Sequence, residues 1–400
     1  MQANKTHWAS VLTLIVFGIS AVAFLLISSG LGISSLVRLL TNRGNPAAEM
    51  ISAFAFGFEL FVLIVCSWFV LQKARGYEQA NLPFEFPFAG WQVFAIIGVV
   101  SFSVIIGGMV SFTGIAWLGW MTLPVLTVLV IAPPIWLLFG IGANGLEIGP
   151  RWRVFAVLGL SMTLAPLIML TIEIAALLGI GIGGSVLVAI FNPSLFEEIL
   201  SLVRILELET NETVILNLLS PFITNPVAIA TGIGYIAVLV PLVEELFKPL
   251  AVWLFARQIE SPAQGFVMGL ISGAAFALFE SLNASADGSV SWAVIVSIRA
   301  GTSLLHMATS GLVGWGIVSA VKEKHIKLLV GAYLAATLVH GIWNACAAGM
   351  GLSVLGESVG RPEWLFNFLP ALLCGLFVLG IGMFAVLLAS NRKLRNTPAP

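Results

Sequence analysis

The segment PLVEELFKPL, Pro241 to Leu250, sets two adjacent glutamates and a lysine inside a long apolar run. Glu280, Arg299, His306 and His340 follow in equally apolar surroundings. Carboxylates and imidazoles are the side chains that move protons and ligate metal ions near neutral pH. Two histidines and a glutamate on separate helices suit zinc, which takes three protein ligands plus a water at catalytic sites. A remaining glutamate would then take a proton from the metal-bound water, whose pKa falls toward about 7. The same residue types also build proton relays in transporters. A single histidine fits equally well as a polar contact between helices, and no HExxH pattern is present. The chemistry therefore rests on the set rather than on any one member.

The elements that carry these residues follow from composition. The 400 residues are 59% hydrophobic and 9% charged, with a mean hydropathy of +1.05. Soluble domains hold about 25% charged residues, so the chain reads as an integral membrane protein. A net charge of −1 offers no case for a nucleic-acid or acidic partner. Cys66, Cys346 and Cys374 lie far apart in apolar runs and suggest small buried hydrophobes rather than disulfides. A bilayer core takes about 20 apolar helical residues. That template predicts an all-α, polytopic helix bundle of about ten transmembrane helices, near 9–30, 51–72, 91–111, 116–140, 154–180, 226–256, 263–282, 297–320, 328–350 and 367–390. The first run is longer than a secretory signal core and reads as a retained span.

Lys and Arg near the span ends set the expected orientation. Lys5, Lys73, Arg75, Arg151, Arg153, Arg257, Lys322, Lys324, Lys327, Arg392, Lys393 and Arg395 fall on one side if both termini are cytoplasmic. Arg38, Arg43, Arg204 and Arg361 fall on the other. The expected location is a cell (plasma) membrane. The expected organisation is a five-span region over 1–182, an extracytoplasmic segment over 183–225, a four-span core over 226–350, and a last span with a basic tail over 351–400. Within 183–225, Ser194 and Glu197 have capping-box spacing. Apolar residues from Leu195 to Leu206 recur at helical spacing, which predicts an amphipathic helix, interfacial or laid over the bundle.

Charged residues inside a membrane are costly and mark function by default. At about 1.5 Å per residue, Glu244, Glu280, His306 and His340 stand about 20, 27, 24 and 20 Å above one edge, a single layer on four consecutive spans. Glu244 and Lys248 are i,i+4, spaced to form an ion pair. His340 and Asn344 share a face, as do His306 and Ser310. Pro241 and Pro249 should bend the sixth span, and Gly265, Gly269 and Gly273 make a small-residue ridge for close packing. Glu59 and Glu173 are single intramembrane carboxyls, each expected to pair with a neighbouring helix.

The motifs EELFK, FALFE, HMATS and HGIWN, in that order over residues 226–346, resemble the PrsW family of intramembrane metalloproteases. That family is grouped with the type II CAAX prenyl endopeptidases and bacteriocin-immunity-type proteins. Ser281 follows Glu280 where the family usually has asparagine. The resemblance implies an endopeptidase acting on a membrane-anchored protein or peptide in the bilayer. Glu244 and Glu245 would then serve as general base, with Glu280, His306 and His340 on a zinc ion. Lys248 would hold the charge of a glutamate, and Asn344 would donate to the developing oxyanion. A proton-coupled transporter using the same layer is the alternative, and it lacks the paired broken helices of inverted repeats.

Overall fold

A computed structural model describes residues 7–209, 211–359 and 367–396. Lys5 and Arg361 of the orientation argument lie outside these residues. The described chain is helical: α1 Trp8–Thr41, α2 Pro46–Ala74, α3 Trp91–Thr113, α4 Ala116–Gly142 and α5 Arg151–Phe191. Then come α6 Pro193–Leu208, α7 Glu212–Ile223, α8 Pro226–Gly234, α9 Val240–Phe247, α10 Leu250–Phe255, α11 Pro262–Ala284, α12 Trp292–Glu323, α13 Ile326–Val359 and α14 Leu369–Arg395. Ten of the described helical stretches are long and apolar enough to cross a membrane, with α8 to α10 together making one of them. All ten spans read from hydropathy are present, several of them longer than the apolar run alone.

The chain forms two compact units. The first comprises Met1–Pro166, Glu245–Ala336 and Gly382–Pro400. Its centre is α11, whose most apolar window is 89% buried, against 33% or less for α1 to α4. A Cβ on Gly269 would strike the Ser310 carbonyl of α12, and one on Gly273 the His306 carbonyl. The glycine ridge therefore brings two backbones together. Trp292 is fully buried; its indole donates to Thr127 Oγ1 of α4 at 3.0 Å and fills the space over Gly107 of α3. It starts α12 five residues before the hydropathy boundary at 297. Arg299 did not delay the helix, because Glu280 neutralises it. At one end of this unit the His7 ring meets Trp152 edge-on at 4.9 Å. Asn391 Nδ2 donates to the Gly142 carbonyl at 2.9 Å, so His7 and Asn391 both lie where α4 stops and α5 starts.

The second unit comprises Leu167–Glu244 and Thr337–Ile381. Its sixth span is broken as its prolines demand. A π turn covers Tyr235–Leu239, with the Val240 N–H on the Tyr235 carbonyl. In that pattern the Ile236 carbonyl would be served five residues on, by Pro241, which has no N–H. Asn344 supplies the donor instead, at 3.2 Å. Gly341 of α13 lies against the Ala237 carbonyl, where any Cβ would collide. Glu173 takes part through its backbone, accepting from Tyr235 Oη at 2.8 Å. The amphipathic helix corrects the capping-box reading: Asn192 is the N-cap, accepting from Leu195 N, with Pro193 in the first turn. Ser194 donates to Asn192 at 2.9 Å. No residue of α6 is buried; its apolar stripe at Leu195, Ile199, Leu202 and Leu206 is half-buried, while Glu197, Glu198 and Arg204 are exposed.

Candidate active site

In the first unit five charged or titratable side chains form a continuous chain of contacts. Pro249 has no N–H for the fourth carbonyl back, so the sixth span stops at Phe247 and resumes at Leu250. The break turns Lys248 inward. Its ammonium donates to Glu245 Oε1 at 2.8 Å, both side chains being fully buried. The same ammonium lies 2.9 Å from His306 Nδ1. His306 Nε2 lies 2.7 Å from Glu280 Oε2, and Arg299 Nη1 is 3.0 Å from Glu280 Oε1.

With Lys248 as an ammonium, which only donates, His306 Nδ1 accepts and Nε2 carries the proton given to Glu280. Negative and positive groups alternate along the chain, which is the condition under which buried charges hold together. Phe276 frames it, with Lys248 Nζ 4.8 Å from its ring centre and the His306 ring edge-on at 5.0 Å.

Neighbouring polar groups hold the carriers in place. Ser272 donates to the Lys248 carbonyl left by the helix break, and Ser161 bonds Ser272 at 2.8 Å. Ser281, the departure from the family pattern, donates to the Arg299 carbonyl at 3.2 Å and ties α11 to α12. Glu59 accepts from Asn283 Nδ2 at 2.9 Å, pairing with α11 as a lone buried carboxyl should.

In the second unit, Glu244 and His340 are both buried. Glu244 Oε2 and His340 Nε2 are 3.7 Å apart, too far for a hydrogen bond. Two ligands of one zinc, at bond lengths of about 2.0–2.1 Å and tetrahedral angles, stand about 3.3 Å apart. Their spacing thus suits a shared metal better than a direct bond. Asn344, one turn beyond His340, is engaged by the Ile236 carbonyl.

Sequence spacing led to Glu244 as the partner of Lys248, whereas the salt bridge seen is with Glu245 at i,i+3. The unwinding at Lys248 and Pro249 changes which carboxylate the ammonium reaches. Arg299 as the partner of Glu280 was missed, although its place two turns before His306 on α12 was the available signal. Ser281, Asn283 and Ser272 had no sequence signal, being ordinary polar residues until two helices meet.

A polytopic helical membrane protein with Glu, His and Lys buried inside its spans is the class these features define. The chain belongs to the PrsW family: the family described as PrsW family intramembrane metalloprotease matches residues 174–373. The match reaches beyond the motif-bearing residues 226–346, taking in the end of α5, the 183–225 segment and the start of the last span. No curated protein matches the chain, and no solved structure does.

Proposed function

We propose that this protein is an intramembrane metalloendopeptidase that hydrolyses a peptide bond of a membrane-associated protein. The observation that carries the reading is the family match over the stretch that also holds every one of these intramembrane Glu, Lys and His residues. By ligand type, Glu244, His306 and His340 are our assigned donors for a divalent ion, zinc. Bound there, the metal would supply a water that ionises near neutral pH and would polarise the scissile carbonyl. Glu245 would serve as the general base for the attacking water, with the Lys248 ammonium at 2.8 Å to balance its charge. Both oxygens of Glu280 are engaged, so we move it from metal ligand to holding the His306 ring, the usual partner of a ligating histidine. Lys248 and Glu280 engage the two nitrogens of His306, so His306 would hold a metal only with one of these contacts released. Asn344 has two N–H groups; one bridges to Ile236, and the second is our donor for the oxyanion.

The 226–350 stretch is on this reading the catalytic core and 183–225 an interfacial segment outside the cell, with both termini cytoplasmic in a plasma membrane. The deciding experiment reconstitutes the pure protein in liposomes with a single-span substrate. Two fragments should appear, their formation should stop on chelation and return with zinc, and no substrate-independent proton flux should accompany them. Proton uptake without cleavage, abolished by Glu280→Gln, would establish the transporter instead.

A further inference from the structure

The sequence LPFEFPFAG, Leu82 to Gly90, crosses the end of the first unit as an extended segment. Phe84 N donates to the Gly149 carbonyl at 2.8 Å and Arg151 N to the Leu82 carbonyl at 3.0 Å, pinning it beside the start of α5. Alternate residues of an extended chain share a face, so Phe84 and Phe86 both turn inward. Phe86 packs on Trp136 and Phe139, with ring centres 4.2 and 4.7 Å apart, and Phe84 on Phe155 at 5.5 Å. Behind these rings is a cavity of about 360 Å³. Its floor is Ile271, Ala274 and Leu278 of α11. They lie about 130° around the helix from Ser272 and about 150° from Glu280, away from the charged chain. Phe58 of α2, also in the wall, is sixteen residues from the helix end at Ala74, so the cavity runs about 24 Å inward. A second cavity shares Phe84 and Phe86 and has Glu85, Asn144 and Glu147 on its rim.

An apolar cavity of this size lined by aromatic rings, with polar groups only at its mouth, is the form of a ligand site. In a chain that spans a bilayer, the ligand present at highest concentration is lipid. We propose that the two cavities bind one phospholipid, with an acyl tail behind Phe84 and Phe86 and a protonated primary amine at the mouth. The exposed carboxylates of Glu85 and Glu147 suit an ammonium, and Arg395 beside Gly145 at the same mouth suits the phosphate that carries it. An amine also donates hydrogen bonds to these carboxylates, which a quaternary ammonium cannot.

The test uses the full chain in vesicles doped with an amine-headed phospholipid carrying a diazirine on one acyl tail. After irradiation, adducts are mapped by mass spectrometry. Adducts are expected on Phe139, Val154 or Ile271, which are buried and out of reach of bulk lipid. Ala274→Phe fills the cavity and should cut those adducts by about tenfold. Labelling of Phe112, 82% exposed on the outer surface, should stay unchanged. Ala132→Trp, in the opposite wall, repeats the test if the first variant fails to fold. An anionic-headed analogue should label the buried residues about tenfold less, the worth of one hydrogen bond to a charged group. Glu85→Gln with Glu147→Gln should erase that preference. Adducts confined to outward residues, or buried adducts that survive both filling variants, overturn the site. Equal labelling by the anionic lipid overturns the amine head.

Discussion

Lys248 contacts two of the groups that we place in the chemistry. Its ammonium donates to Glu245 at 2.8 Å and lies 2.9 Å from His306 Nδ1. Lys248→Met keeps the length and removes the charge, leaving Glu245 buried opposite an apolar chain. Breaking a buried pair in this way costs about 3–5 kcal/mol, so the variant should melt well below the parent in detergent. Double replacement with Glu245→Gln should recover part of the loss. Glu245→Gln alone keeps the shape and cannot take a proton. It should lose most cleavage activity, at least about a hundredfold for a missing general base, with near-parental folding. Glu244→Gln should instead lower metal content along with activity, because we place it on the metal. Metal analysis of the pure protein separates the two glutamates: parental metal in the Glu244 variant would refute its assignment. His306→Ala and His340→Ala should each lower bound metal as well.

At the scale of the helices, the site depends on two close approaches and two breaks. Gly269 and Gly273 let α11 touch the α12 backbone at Ser310 and His306. Gly273→Ala would push away the very residue that carries the imidazole. It should cost about 1–3 kcal/mol and reduce activity more than an alanine at Gly301, where nothing lies within 4 Å. Measuring thermal stability and turnover for both variants checks the argument. Pro241 leaves the Ile236 carbonyl to Asn344. With Pro241→Ala the sixth span should regain an ordinary helical turn, and Asn344→Leu should then become less damaging than in the parent. At one end of the first unit, His7 caps α1 by accepting from Ser10 N. Burial, and then the charge of Lys73, lower its pKa below the usual 6.5. Its contribution is complete above 6.5 and is lost as pH falls through that value toward the folded pKa. A proton-resonance titration, assigned with His7→Gln, should give a midpoint below 6.5.

For the molecule as a whole, ten spans and the basic residues at their ends lead to one orientation. Single cysteines at 211 and 393 should be labelled from opposite sides of the membrane. Labelling from the same side would overturn the arrangement and take the interfacial role of α6 with it. The basic residues that can be located support the proposal within the first unit. Lys73 lies 5.6 Å and Arg153 5.9 Å from the Trp152 ring centre, at the end that also holds His7 and Asn391. The second unit contributes the amphipathic α6 and the His340 helix.

The linear chain by itself determined the membrane class, the ten spans and the residues able to do chemistry. Each of these rests on local composition: a run of twenty apolar residues has no stable alternative to a helix in lipid, and a charge within it stands out wherever it lies. Glu244, Glu245, Lys248, Glu280, His306 and His340 were all legible on that ground. Which of them touch was not. The pairing of Lys248 with Glu245 depends on a helix break at Pro249 that shifts the ammonium by part of a turn. The engagement of Glu280 by Arg299, of Asn283 by Glu59 and of Asn344 by Ile236 depends on helices far apart in sequence meeting at a given height and rotation. Periodicity along one helix holds no record of its neighbour's rotation. Those contacts were decided by glycines that admit a second backbone and by carbonyls that prolines leave without a donor, and only the packed structure brings them together.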